Sequence, residues 1–292
     1  MIRAVIVCSH PPEGVGTKTN VREEAEAVTR AKRALALLLC VSVLLCLYAC
    51  GSDNSRYRVL STVGQRSYAL LFRLDDRLAE PVTAAMDVLA GHDHLAQICR
   101  QWLHEDRITL RGNVDALDEL DEPPQPRVLI AGVEANSPPL GYSEGDGYAG
   151  MSVDIARELA SLLGWEVRIQ PIAADEVDAQ LASGNIDCAV GFDPLNANTE
   201  HCSVARVYME SDLIVAVPRD SDCRSMRDLR GLKIASVRDN AALTALKNDK
   251  NVSKYVKTVV SFVTPERCMY AMDNGSCAAV SMDRLVLDAC FY

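Results

Sequence analysis

SYALLFRLDDRLAEPVTAAMDVL, Ser67 to Leu89, is the stretch on which the fold turns. Tyr68 to Phe72 is an unbroken apolar run of strand length. Beyond Leu74-Asp75-Asp76, the apolar residues Leu78, Val82, Ala85, Met86 and Leu89 recur at helical spacing. This strand-then-helix unit lies between a leader-like segment and the point, near Arg127, where a regular α/β pattern begins. Its place in the molecule depends on what surrounds it.

RVLIAGV (127–133) is β-branched and apolar and stops at EANSPP, where two prolines force a loop. In SVDIARELASLLG, Val153, Ala156, Leu159, Ala160 and Leu163 share one helical face, and Gly164 takes the C-terminal cap position. Trp165, Val167 and Ile169 alternate as a strand, DEVDAQLASG is a short helix and NIDCAVG a buried strand. DLIVAVP and LKIASV are strands flanking a short helical SMRDLRG. Helical NAALTALKN, extended KTVVSFV and the helix TPERCMYAMDNG follow, the last with Thr264 as N-cap and Pro265 in its first turn. CAAVSM and DRLVLDAC supply a last strand and helix. Repeated βα units predict an α/β fold, mostly parallel, with helices on both faces of the sheet.

A chain of 292 residues with 49% apolar content can bury one large or two small cores. The formal net charge of -10 argues against nucleic acid as a partner, because Lys and Arg neutralise phosphates. Residues 34–49, ALALLLCVSVLLCLYA, are uncharged and follow Lys32 and Arg33, the layout of a secretory signal. The run is shorter than the roughly 20 residues of a bilayer span. It ends in Leu47-Tyr48-Ala49-Cys50, which is similar to a bacterial lipobox with Cys50 as the lipidated residue; a plain transmembrane anchor and a buried core helix are the alternatives. Glu23, Glu24 and Glu26 do not suit a short basic leader and point to a start codon placed too early.

Cys99, Cys188, Cys202, Cys223, Cys268, Cys277 and Cys290 follow Cys50. An exported location permits disulfides, and an odd number leaves at least one thiol without a partner in its own chain. No spacing among them marks a metal site, and single buried thiols account for most. Glu105 to Glu122 is strongly acidic and runs into Pro123, Pro124 and Pro126, so residues 105–126 read as a solvated linker.

The run RVLIAG, SPPLGY, GYAGMSVDIARELASLLGWEVRIQPI and LASGNIDCAVG resembles the first lobe of bacterial extracellular solute-binding proteins of the polar amino-acid uptake type. VYMESDLIVAVPRDSDCRSMRDLRGLKIASV resembles their crossover into the second lobe, and MYAMDNGSCAAVSMDRLVL the end of that lobe. The resemblance covers residues 127–292 and implies a two-lobed periplasmic-binding-protein type II fold with a central ligand cleft. In the usual order a strand would next return to the first lobe, followed by two helices ending near a tryptophan. Tyr68 to Arg73 resembles that strand. Leu78 to Leu89 resembles the first helix, Gly91-His92-Asp93 a break, and Leu95, Ile98 and Trp102 the last helix.

The resemblance therefore implies a circularly permuted member of the family, its old ends joined through the 105–126 linker. Chain ends at a domain surface make such rearrangement feasible. The alternative is an unrelated helical appendage on a truncated lobe. The expected organisation is a leader and lipoprotein signal over 1–50, a second lobe from 51–66 plus 214–292, and a first lobe from 67–213. Lipid at Cys50 would then hold the second lobe at the membrane.

Relatives that bind α-amino acids use an arginine to clamp the ligand carboxylate through two hydrogen bonds, an aspartate for the amine, and flanking aromatic rings. Asp283 stands at the aspartate position, but Asn198 stands at the arginine position, and Ser137 and Ala174 stand where rings are common. Asp239-Asn240-Ala241 replaces a small hydroxyl-rich turn. The candidate ligand-binding set is Glu134, Asp193, Asn198, Asp239 and Asp283. An acidic cleft attracts cations, so the expected ligand is an amine, a cationic amino-acid derivative or a peptide.

Glu134 and Asp239 equally suit caps or solvated loop positions, and Asp283 the N-cap of the last helix. Arg206 and Arg238 are the candidate positive partners from elsewhere, and Tyr142 and Tyr148 the candidate rings. His92, His94 and His104 fall away from the cleft, His201 sits in a loop without a neighbouring nucleophile pattern, and helix capping accounts for Asp175 and Asp178. The expectation is a lipid-anchored receptor passing a small polar solute to an ABC transporter permease, with no cofactor, metal, catalysis or nucleic acid. A ligand-sensing or scaffolding lipoprotein is the alternative.

Overall fold

The computed structural model describes residues 56–196, 200–238, 240–256 and 258–291. The leader and Cys50 lie outside them, as do Asn198 and Asp239. The described chain enters on β1 (Tyr57–Arg73), followed by α1 (Ala79–Gly91) and α2 (His94–Leu103). β2 (Val128–Glu134) is followed by β3 (Asn136–Ser137), β4 (Gly141–Glu144) and β5 (Gly147–Ala149), which make a small antiparallel sheet. Next come α3 (Met151–Leu162), β6 (Glu166–Ile172), α4 (Val177–Ala182), β7 (Cys188–Phe192) and the long strand β8 (Cys202–Pro218). β9 (Lys233–Val237), α5 (Ala241–Asn248), α6 (Lys250–Ser253), β10 (Thr258–Phe262), α7 (Pro265–Asp273), β11 (Ala279–Asp283) and α8 (Arg284–Phe291) complete the order.

The large sheet runs β10-β9-β11-β8-β1-β7-β2-β6. β1 and β8, each 17 residues long, pair antiparallel from Tyr57 opposite Pro218 to Arg73 opposite Cys202. Each therefore crosses from one half of the sheet to the other. At one end β7, β2 and β6 extend the sheet beside β1, and at the other β11, β9 and β10 extend it beside β8. These halves are two lobes, with parallel pairing among β2, β6 and β7 and among β9, β10 and β11. Antiparallel pairing enters at the crossing strands.

The alternation of β1 explains the Ser67–Leu89 stretch. Tyr68, Leu70 and Phe72 point into a core built with Val82, Ala85, Met86 and Leu89 of α1, Leu95 and Cys99 of α2, and Ile155 and Leu159 of α3. Ala69 and Leu71 point the other way, against Val177, Leu181, Ile186 and Phe192. Successive strand residues face opposite sides; with helices on both sides, the pattern becomes a continuous apolar run. All five residues are buried. The strand–helix unit is the centre of the first lobe's core.

Residues 105–126 depart from the solvated linker expected of their charge. Thr109 donates its N–H to the Tyr208 carbonyl, and Ile108 bridges to Met209. Ala116 is buried against Ala84 and Val88 of α1, with Leu117 and Leu120 packed alongside. A Cβ on Gly112 would sit 1.8 Å from the Asp87 carbonyl oxygen, so this contact requires glycine. The few apolar side chains between the carboxylates face inward, a pattern hidden by the overall composition.

The last helix also departs from a clean division into lobes. Leu285 and Ala289 of α8 pack into the first-lobe core, whereas Leu287 and Phe291 pack into a second-lobe cluster that includes Tyr57. Thr264 occupies the N-cap of α7 but its side chain makes no capping bond. A side-chain capping bond does form at α5, where Asn240 accepts from the Leu243 N–H at 2.9 Å. Cys99, Cys188, Cys202, Cys268 and Cys277 are buried free thiols and Cys223 is partly exposed. Burial pushes the Cys99 thiol up to about 11 and that of Cys268 to about 12, so both stay protonated and unreactive near neutral pH.

Candidate functional site

A cleft of about 470 Å³ opens between the lobes, within the range of small-molecule sites. Its first-lobe wall comes from Glu134 to Ser137, after β2, and Pro171 to Glu176, after β6. Its second-lobe wall includes Arg238 and Asn240 beyond β9, Val263 beyond β10, and Asp283 at the end of β11. The site thus lies at the carboxyl ends of the strands, where α/β sheets leave a crevice. A recess of about 200 Å³ adjoins it and shares Arg66, Glu134, Asp175 and Asn240.

Arg66 is the residue that reading the sequence missed. It sits near the midpoint of β1, opposite Ser211 of β8, and is only 6% exposed. Its Nη2 donates to Glu134 Oε2 at 2.9 Å and to the Gly191 carbonyl at 3.5 Å. Its guanidinium carbon lies 4.7 Å from the Tyr68 ring centroid, a cation–π distance. Burial pulls its pKa down, but Tyr68, Glu134 and Asp283 together outweigh that and hold it above the ordinary value. The available signal was a single arginine immediately before an apolar strand.

Asp283 does face the cleft, and both of its carboxylate oxygens are engaged. Oδ2 accepts from the Tyr68 hydroxyl, and Oδ1 accepts from the Ser211 hydroxyl and, at 2.9 Å, from the Leu285 N–H at the start of α8. The cap reading and the cleft reading therefore meet in one residue. Glu134 keeps 23% of its side chain exposed beside Arg66. Asp193 is buried just beyond β7 and does not line the cleft; Oδ1 accepts from the Leu195 N–H at 3.0 Å. Desolvation raises its pKa, partly offset by the Leu195 hydrogen bond and by Arg66.

Ser137 and Ala174 line the cleft, as does Arg238. Arg206 instead makes a two-pronged ion pair with Asp87 of α1, at 2.9 and 2.7 Å, outside the cleft. Tyr142 stands edge-on to Trp102, and Tyr148 packs on the first-lobe core. Asp178 accepts from the Cys202 thiol at 3.1 Å. Among the described residues no group of three or more His, Cys, Asp or Glu side chains is placed to hold a metal ion. The cleft is chemically a polar binding surface with one buried cation, a partly open carboxylate beside it, and exposed Asp175 and Glu176 at its rim.

Two α/β lobes joined by two crossing strands around a polar cleft define the class of type II periplasmic binding folds. Residues 129–267 match the model of the bacterial extracellular solute-binding proteins, family 3. It is similar to the arginine-binding extracellular protein ArtP of Bacillus subtilis, 29% identical over 104 residues, which are 35% of this chain and 41% of that protein. The match thus spans less than half of the relative's length. Among solved structures, the cysteine-binding protein of Campylobacter jejuni is 23% identical with a TM-score of 0.45, covering 55% of this chain and 65% of that one. Holo ArgBP of T. maritima is 25% identical with a TM-score of 0.42, covering 56% and 71%.

Proposed function

We propose that this protein is an extracytoplasmic solute-binding receptor that captures a small polar, amine-bearing solute and delivers it to an ABC transporter permease. The observation that carries this reading is the cleft itself: about 470 Å³, polar, and walled by both lobes around the crossing strands. Closure of the lobes over a solute would be a population shift driven by contacts made only in the closed state. Glu134, with Asp175 and Glu176 at the rim, gives the first-lobe wall its attraction for an amine. The family match over residues 129–267 supports the class.

The proposal includes the order of the chain and its anchor. In this reading the protein is a circular permutant, with β1, α1 and α2 placed ahead of the elements they complete. Support comes from β1 lying between β8 and β7, and from Phe291 packing against the same second-lobe cluster that Tyr57 belongs to. Lipidation at Cys50 would tether the second lobe, through the short segment before Tyr57, to the outer face of the cytoplasmic membrane.

A thermal-shift screen of purified protein against amino acids, amines, polyamines and short peptides tests the function. A ligand at about a hundred times its Kd adds about 2.7 kcal/mol, or roughly 5 to 10 °C for a domain of this size. A silent panel would refute the receptor and favour a scaffolding role.

A further inference from the structure

We infer that the end of the second lobe remote from the cleft is a docking surface for the anionic headgroups of a phospholipid membrane, on which the molecule stands with its first lobe outermost. The inference rests on the reading of Cys50 as the site of a lipid anchor. It begins with the distribution of charge along the chain. Residues 67–213 carry 26 Asp and Glu against 9 Lys and Arg, whereas residues 51–66 and 214–292 carry 15 Lys and Arg against 10 Asp and Glu. The net charge of -10 therefore conceals one strongly acidic lobe and one basic lobe.

Topology gathers the cations at one end. β8 runs antiparallel to β11, while β9 and β10 run parallel to it. The start of β1, the end of β8 and the starts of β9 and β10 therefore lie together, opposite the strand ends that wall the cleft. Exposed Arg56 precedes β1, Arg219 and Arg224 follow β8, and Arg227 and Arg230 precede β9. Arg58 fastens the loop after β8 to β1, donating to the carbonyls of Arg219 and Ser221 at 3.0 Å and of Cys223 at 2.6 Å. Before β10, the Tyr255 ring centroid lies 5.6 Å from the Arg230 guanidinium carbon and 5.0 Å from Lys254 Nζ. A side-chain hydrogen bond from Arg227, with Lys254 beside it, holds the Tyr255 pKa below its ordinary value. Among the described residues none of Arg224, Arg227, Arg230 and Lys254 takes part in an ion pair. Asp220, Asp222, Asp249 and Asp273 share this end, where exposed Lys233, Lys247 and Lys250 add to the cations already named. Asp228, also there, is turned to the N–H groups of Arg224 and Ser225, at 2.9 and 2.8 Å.

A surface of anionic headgroups attracts this end and repels the acidic lobe, so charge alone orients the molecule. Leu232, 40% exposed between Arg230 and Lys233, and Tyr255 with its polar tip add apolar surface suited to the headgroup boundary. An acidic protein would meet the same cations. What decides for a bilayer is that the chain reaches this end from Cys50, six positions before Arg56. A polybasic patch is the second signal that makes a lipid anchor stable.

The test is co-sedimentation of the full chain with vesicles of phosphatidylcholine, or of phosphatidylcholine and phosphatidylglycerol in equal parts. Each basic residue near an anionic surface strengthens partitioning about fivefold. The expected result is binding to the anionic vesicles at least tenfold tighter than to the neutral ones. That preference should vanish in roughly 1 M salt, where the Debye length falls to about 3 Å. It should fall at least tenfold in Arg227→Glu/Arg230→Glu and persist in Arg77→Glu/Arg168→Glu, an equal charge change on the first lobe; all four side chains are exposed. Equal binding to both kinds of vesicle overturns the inference and leaves the anchor standing. A preference that survives Arg227→Glu/Arg230→Glu also overturns it, assigning the attraction to Lys32 and Arg33 of the leader. Absence of binding to either vesicle overturns the docking surface and the anchor together.

Discussion

Replacing Phe72 with alanine tests whether β1 is a core strand of the first lobe. Phe72 is completely buried, in a core it shares with residues of α1, α2 and α3. Phe→Ala substitutions at such sites cost about 3–5 kcal/mol, the transfer term plus the cavity left behind. Leu71→Ala probes the opposite face, where Val177, Leu181 and Phe192 surround it, and should cost about 2–5 kcal/mol. Against a total of about 5–15 kcal/mol, either loss is readily measured by urea unfolding followed by circular dichroism. Val59→Ala, at a position 39% exposed on the other half of β1, is the control and should stay within about 0.5 kcal/mol. If Phe72→Ala cost under about 1 kcal/mol, β1 would be an appendage. If only one of the two core substitutions were costly, the strand would be covered on one face alone.

Two further outcomes follow from single side chains. Asn240→Ala removes the cap of α5 and should lower stability by about 0.5–2 kcal/mol in thermal unfolding, whereas Asn240→Asp should not. Asp193 has a pKa raised by burial, so its native ionisation lags behind that of the unfolded chain. The wild type therefore loses stability as pH rises from the ordinary carboxylate range through the raised value. Asp193→Asn, which keeps an acceptor for Leu195, should be more stable at pH 7 and indistinguishable well below about pH 4; an equal difference at both pH values would refute this.

The elements that were legible in the sequence are those whose burial imposes a period. Val153, Ala156 and Leu159 repeat on one face of α3 because one side of that helix meets the core, and all three are buried. Tyr68 to Phe72 was legible as a strand for the opposite reason, having no polar face at all. The full length of β1 was not. From Tyr57 to Arg66 it alternates irregularly, because its pairing with β8 slips register between Val59 and Ser61 and again between Thr62 and Gly64. Such shifts erase a strict two-residue repeat. The packing of the acidic linker was equally hidden, since Ala116 and Leu120 are small apolar signals within a charged run. Glu134 and Asp283, which line the cleft, are legible as loop and strand ends. Arg66 is not legible in the sequence, because an arginine in a strand ordinarily marks a solvated face and only the packing around the crossing strand buries this one.

That crossing also limits what the site residues can do. Asp283 ends β11 in the second lobe and begins α8, accepts from Tyr68 on the first-lobe side of β1, and accepts from Ser211 at the middle of β8. It therefore ties together the elements that any hinge motion must carry. Diverting its carboxylate to a ligand amine would leave the Tyr68 hydroxyl, buried beside it, without its acceptor, at a cost of about 1–3 kcal/mol. Binding energy that dismantles the pivot cannot at the same time drive closure. Arg66 and Glu134 carry no such burden: one is anchored in the crossing strand and the other stands on the first-lobe wall.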